Sequence, residues 1–127
     1  MNIFVSLNSK ESLYEQVENQ VKKQILSGAL KAGDIMPSVR VLAKELQIGI
    51  ITAKRAYDDL VRDGFLMSKA GKGYYVNEVD TDAKKTDYIQ KIEKHAEEIA
   101  ALAVESGIGK KEICEIIERR LQKSERN

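Results

Sequence analysis

One cysteine, one proline and no tryptophan occur among the 127 residues. A single cysteine excludes an internal disulfide framework and a cysteine-rich zinc site. No apolar run approaches the roughly 18 residues that span a bilayer, and the opening MNIFVSLNSKES lacks the basic flank and apolar stretch of a secretory signal. Neither sign of charge dominates, since 21 Lys and Arg oppose 20 Asp and Glu. Also missing are a nucleophile–base arrangement, a phosphate loop and a metal constellation. Gly71-Lys72-Gly73 is too short and wrongly placed to be a P-loop, which needs strand, glycine-rich loop and helix in order. These absences point away from enzymes, cofactors and membranes, and towards a soluble protein of the reducing cytoplasm.

With 43% hydrophobic residues the chain can build a core. Its length fits one compact domain, or a small domain with an appendage. Charge is unevenly spread. Between Met36 and Gly73, 7 basic residues face 4 acidic ones, as suits a protein that sets one face on an anion.

Ile3, Val5 and Leu7 alternate with Phe4, Ser6 and Asn8, suggesting a short extended arm. Ser12 and Glu15 stand at capping-box spacing, and Leu13, Val17, Val21, Ile25 and Leu26 then recur as one helical stripe. Gly28 ends that helix, and Lys31-Ala32-Gly33-Asp34 reads as a turn. Pro37-Ser38 opens a second helix with Val39, Leu42, Ala43 and Leu46 inward. Gln47-Ile48-Gly49 breaks it tightly. A third helix runs from about Ile50 to Arg62, with Ala53, Ala56, Tyr57 and Leu60 on one face. After Gly64, Phe65–Ser68 and Tyr74–Val76 flank the turn Ala70-Gly71-Lys72-Gly73 as a β-hairpin.

Helix, helix, tight turn, helix and a Gly-Lys-Gly hairpin describe a winged helix-turn-helix, in which the third helix enters the major groove. Thr52, Lys54 and Arg55 are its exposed candidates, and Arg55 could donate bidentately to guanine. Gly71 and Gly73 let the hairpin approach the minor groove, where Lys72 meets phosphates. The bland reading is a helical domain with a surface hairpin. A competing function is a protein–protein adaptor without specific DNA binding, for which an apolar groove would be expected instead of the basic face.

Leu13 to Val76 resembles the DNA-binding domain of the GntR transcription regulators. The resemblance rests on Gly33-Asp34, on Pro37-Ser38-x-Arg40-x-Leu42-Ala43, on Thr52, Ala56-Tyr57 and Leu60, and on Asp63-Gly64-Phe65 and Gly71-Lys72-Gly73. It implies DNA contacts from Arg40, Thr52, Lys54 and Gly71. With the residues read above, the candidate DNA-contacting set is Ser38, Arg40, Gly49, Thr52, Lys54, Arg55, Gly71, Lys72 and Gly73. Two positions depart from the family pattern. Gly49 stands where Ser or Asn is frequent, and Ile50 where a polar residue, often Arg, is found. Ile50 or Ile51 could meet a thymine methyl instead.

The reading divides the chain into a DNA-binding domain, 1–78, and a helical tail, 79–127, too short for a large effector-binding or aminotransferase-like domain. Asp80-Thr81-Asp82 is a polar link with a cap. Ile89, Ile92, Ala96, Ile99 and Ala103 make a coiled-coil-like seam, Gly107 and Gly109 break the chain, and Ile113, Ile116, Ile117 and Leu121 form a second apolar face. Such a pair resembles the dimerising tail of the YtrA-type subfamily, which often represses ABC-transporter operons and its own gene. The expectation is a mainly α protein with a small β wing that binds a palindromic double-stranded DNA operator as a homodimer and acts as a repressor. Any small-molecule effector would bind between the two parts or at the dimer interface. His95 reads as interfacial or solvated, because zinc needs three or four ligands. Cys114 reads as a buried, inert thiol.

Overall fold

The computed structural model describes residues 2–125. Two compact units emerge, Met1–Lys84 and Lys85–Asn127. The first holds three helices, α1 (Leu13–Ser27), α2 (Val39–Leu46) and α3 (Ile50–Arg62), then the antiparallel strands β1 (Leu66–Lys69) and β2 (Gly73–Val76). Two long helices follow, α4 (Thr81–Ser106) and α5 (Lys110–Glu125). The order is that of a winged helix-turn-helix followed by a helical tail. Among the described residues, no helix is long and apolar enough to cross a membrane.

Local chemistry sets the helix ends. The Ser12 hydroxyl accepts from the Glu15 amide at 3.4 Å and donates to the Glu15 carboxylate at 2.7 Å, a capping box closed through the side chains. Gly28 ends α1 in the left-handed region at φ 84°. The turn between α2 and α3 takes the same conformation at Gln47, with φ 55° on a residue that carries a Cβ.

One core joins these elements. Val17, Val21 and Ile25 of α1 meet Leu42 and Ala43 of α2, and Ala53, Ala56, Tyr57 and Leu60 of α3. Phe65, Leu66 and Val76 bring the hairpin onto the same cluster, with Ile3 and Met36. Ala53 and Ala56 are fully buried, and their small size lets the other helices approach α3 closely. The apolar stripe of α1 also carries two polar side chains, Gln16 and Glu18, both buried.

Tertiary contacts add two features. The arm forms no regular strand; instead its backbone is paired by glutamine side chains spaced four apart on α1. Gln16 receives the Ser6 amide at 2.8 Å and donates to the Ser6 carbonyl at 2.9 Å. Gln20 does the same for Phe4, and Gln24 donates to the Asn2 carbonyl. Carboxamides thus supply the donors and acceptors that a neighbouring strand would. The turn before α2 likewise runs on into a pairing with β2. Gly33 donates to the Val76 carbonyl, Val76 to that of Asp34, and Met36 to that of Tyr74, at 2.8, 2.8 and 2.9 Å.

The tail is different in kind. No residue of α4 is buried, and Ile99, Ala103 and Ile113 are only half-buried. Ile89, Ile92, Ala96, Ile116, Ile117 and Leu121 are exposed. Asp80 caps α4 by accepting from the Ala83 amide at 3.0 Å, and Gly107, at φ 74°, closes its far end. Cys114 is exposed, against the expectation of a buried thiol, because in a single chain the two helices bury little of each other.

Candidate nucleic-acid interface

Helix α3 is amphipathic in the sense a groove-reading helix requires. Ala53, Ala56, Tyr57 and Leu60 fix it to the core, leaving Ile51, Lys54, Arg55 and Asp58 on the outer face. Gly49 is its N-cap and makes no side-chain cap bond. The first amides of α3 are therefore open to an outside acceptor, the usual situation where a helix end meets a phosphate. Thr52 is half-buried, and its hydroxyl has no hydrogen-bond partner among the described residues.

The two basic residues of the outer face are already engaged. Lys54 Nζ lies 2.6 Å from Asp58 Oδ2, and this hydrogen-bonded carboxylate pushes the ammonium pKa up. Arg55 stacks its guanidinium 3.8 Å from the Tyr14 ring centre and stands 4.0 Å from Asp59. Reaching a base edge requires each to leave these partners. Arg40 on α2 and Lys72 at the wing tip are exposed and have no ion pair among the described residues. Ser38 spends its oxygen on the Val41 amide at 3.1 Å as the cap of α2, which leaves its proton free to donate.

The wing is locked to α3. The rings of Tyr57 and Tyr74 sit 4.7 Å apart, tilted by 53°. The Tyr74 hydroxyl donates to Asp58 Oδ1 at 3.1 Å, so the carboxylate that holds Lys54 also holds the wing. Burial, then the Asp58 hydrogen bond, push the Tyr74 phenol up. The Tyr57 hydroxyl donates to the Pro37 carbonyl at 2.7 Å, tying α3 to the start of α2. The tip turns tightly, with Lys72 N bonded to the Lys69 carbonyl at 2.9 Å. Gly71 and Gly73 both take positive φ, 74° and 88°, which a side chain would strain. Tyr74 and Tyr75 read from sequence as anchors of the wing, and Tyr74 is one; sequence patterning misses its partner on the helix, Asp58. The signal of Asp58, an acid four residues after Lys54, acquires meaning only once Tyr74, near the turn of the hairpin, is in contact with it.

Beside these, His95 pairs with Glu98 at 3.3 Å on the exposed surface, and no group among the described residues could hold a metal ion. A helix-turn-helix with a wing fastened to its third helix is the architecture of DNA-binding regulators.

Comparison with known proteins carries this further. The family of bacterial regulatory proteins named gntR matches residues 13–76. The transcriptional repressor YtrA of Bacillus subtilis is 33% identical over 82% of this chain and 78% of its own length. The regulator TauR of Rhodobacter capsulatus is 36% identical over 66% of this chain, which spans only 17% of that relative. Among solved structures, YtrA from Sulfolobus acidocaldarius is 32% identical with a TM-score of 0.59, covering 71% of this chain and 95% of that one. AraR(DBD) in complex with operator ORX1 is 25% identical with a TM-score of 0.51, covering 60% and 98%. The chain belongs to the GntR family of bacterial regulatory proteins and is similar to YtrA. That membership sets it among DNA-binding transcription regulators and apart from enzymes.

Proposed function

We propose that this protein is a cytoplasmic, sequence-specific repressor that binds a palindromic operator as a homodimer, and that its targets are a transporter operon and its own gene. The observation that carries the reading is the exposed face of α3 joined to a wing whose tip is Gly71-Lys72-Gly73, with Arg40 and Lys72 as unpaired cations among the described residues. The repressor relative and the operator-bound AraR(DBD) support it from outside. In this reading Arg40, Lys72 and the Ser38 hydroxyl hold phosphates or the minor groove, while Thr52, Lys54 and Arg55 work nearer the bases. Gly49, Gly71 and Gly73 bring the backbone close.

The boundary we propose leaves 1–78 as the DNA-binding part and 79–127 as the dimerising part. One recognition helix reads only a few base pairs, so specific affinity calls for two half-sites. The tail offers the means. Ile89, Ile92 and Leu121 are 54%, 65% and 60% exposed in the single chain, alongside Ala96, Ile116 and Ile117, and Ile99, Ala103 and Ile113 are only half-covered. Burying an aliphatic side chain contributes about 1.5–3 kcal/mol before entropy costs, so such a surface drives association.

A gel-shift assay with the upstream region of its own operon tests the reading. Specific retardation that outlasts competitor DNA is expected. No shift at low salt, where the phosphate contribution is strongest, would overturn it.

A further inference from the structure

We propose that Ile51 reads the C5-methyl group of a thymine in each half-site, giving this protein an apolar determinant at the start of its recognition helix. The inference rests on the DNA-binding reading above. Ile51 is 86% exposed, the most exposed apolar side chain on any helix of the first unit among the described residues. Ile50 beside it is 49% exposed. Both lie in the first turn of α3, the end of a recognition helix that reaches base edges. Ile51 shares the outer face with Lys54 three residues on and Arg55 four residues on. It therefore enters the groove wherever those two do.

The chemistry of that face favours a methyl group as occupant. Lys54 is held by Asp58, one turn further along α3, and Arg55 is stacked on Tyr14 of α1, so both cations are engaged within the protein. The foremost side chain is then a branched hydrocarbon that cannot form a hydrogen bond. In the major groove the only apolar substituent a base pair presents is the thymine methyl. The surrounding cations suit a polyanion better than an apolar protein groove. Gly49 adds no side chain ahead of Ile51, so the backbone can come near.

Full-length protein selects duplexes from a randomised 30-base-pair pool, and each thymine of the winning sequence is replaced in turn by deoxyuracil, which differs only by the methyl. One thymine per half-site should emerge whose replacement weakens wild-type binding about fivefold, the effect of about one buried methyl group. Ile51→Ala should weaken binding to the thymine duplex by a similar factor and be indifferent to deoxyuracil there, the signature of a direct pair in a double-mutant cycle. Because Ile51 packs against almost nothing, thermal unfolding of this variant should match the wild type.

A selected duplex in which every replacement stays within twofold overturns the inference and leaves DNA binding intact. So does a deoxyuracil effect that persists undiminished in Ile51→Ala. Failure to select any sequence overturns the DNA-binding reading itself, and the inference with it.

Discussion

Replacing Glu18 with Gln should make the winged unit more stable at alkaline pH while leaving it almost unchanged in mild acid. Glu18 is 8% exposed on α1, where it faces Asp59 of α3. Burial, and then the hydrogen bond and charge of Asp59, push its carboxyl up to about 7 from an ordinary 4.5, with Asp63 adding and Lys22 opposing. Lys22 is partly drawn off, lying 3.7 Å from Asp63. A carboxyl whose pKa is raised by folding holds its proton more tightly in the folded state. Its contribution is complete below the unfolded value and is lost as pH rises through the folded one. Between about pH 5 and pH 8 the loss amounts to about 2–3 kcal/mol, by linkage between those two pKa values. Glutamine keeps the neutral shape and an N–H for Asp59, and it has no proton to lose. Urea denaturation of both proteins, followed through the near-ultraviolet signal of the buried tyrosines at fixed concentration, measures the difference. The variant should exceed the wild type by about 2–3 kcal/mol more at pH 8 than at pH 5. A difference that does not change across that range would refute the argument that Glu18 is protonated against Asp59.

Arg40→Ala should weaken binding to all duplexes alike and reduce the slope of log affinity against log salt by about one counterion, as a salt titration would reveal. Lys54→Ala or Arg55→Ala should cost about 1–3 kcal/mol and relax the preference at one base position, towards the low end because each side chain first gives up Asp58 or Tyr14. Wild-type ratios of specific to random binding in both variants would remove α3 from the reading. Ile99→Glu with Ile117→Glu should give monomers in sedimentation and abolish nanomolar specific binding, while the tyrosine signal of the winged unit persists. Gln47→Gly should stabilise the protein by about 0.5–1 kcal/mol, since glycine takes the left-handed conformation without a Cβ penalty; an unchanged or lowered denaturation midpoint contradicts that.

Much of this architecture is written locally. Helical periodicity from Val17 to Ile25 and from Ala53 to Leu60, caps at Ser12, Ser38 and Asp80, and glycines at 28, 64, 71, 73 and 107 are decided by backbone preference within a few residues, so helix order and wing were legible from sequence alone. The family motif from Gly33 to Gly73 was legible for the same reason: its residues meet local demands of turns and caps. What remained hidden depends on partners far apart in the chain. Gln16, Gln20 and Gln24 look like solvated polar positions until the arm lies beside them. Glu18 looks like a surface charge until Asp59 is brought to it and burial makes its ionisation costly. Lys54 and Arg55 look like free cations, yet Asp58 and Tyr14 engage them, and Tyr74 joins Asp58 to the wing. Sequence determined where the elements begin, end and turn, because those choices depend on the nearest backbone. Only the tertiary structure decided which charges are available to a ligand, because Coulomb and hydrogen-bond energies depend on distances that neighbours in sequence do not set.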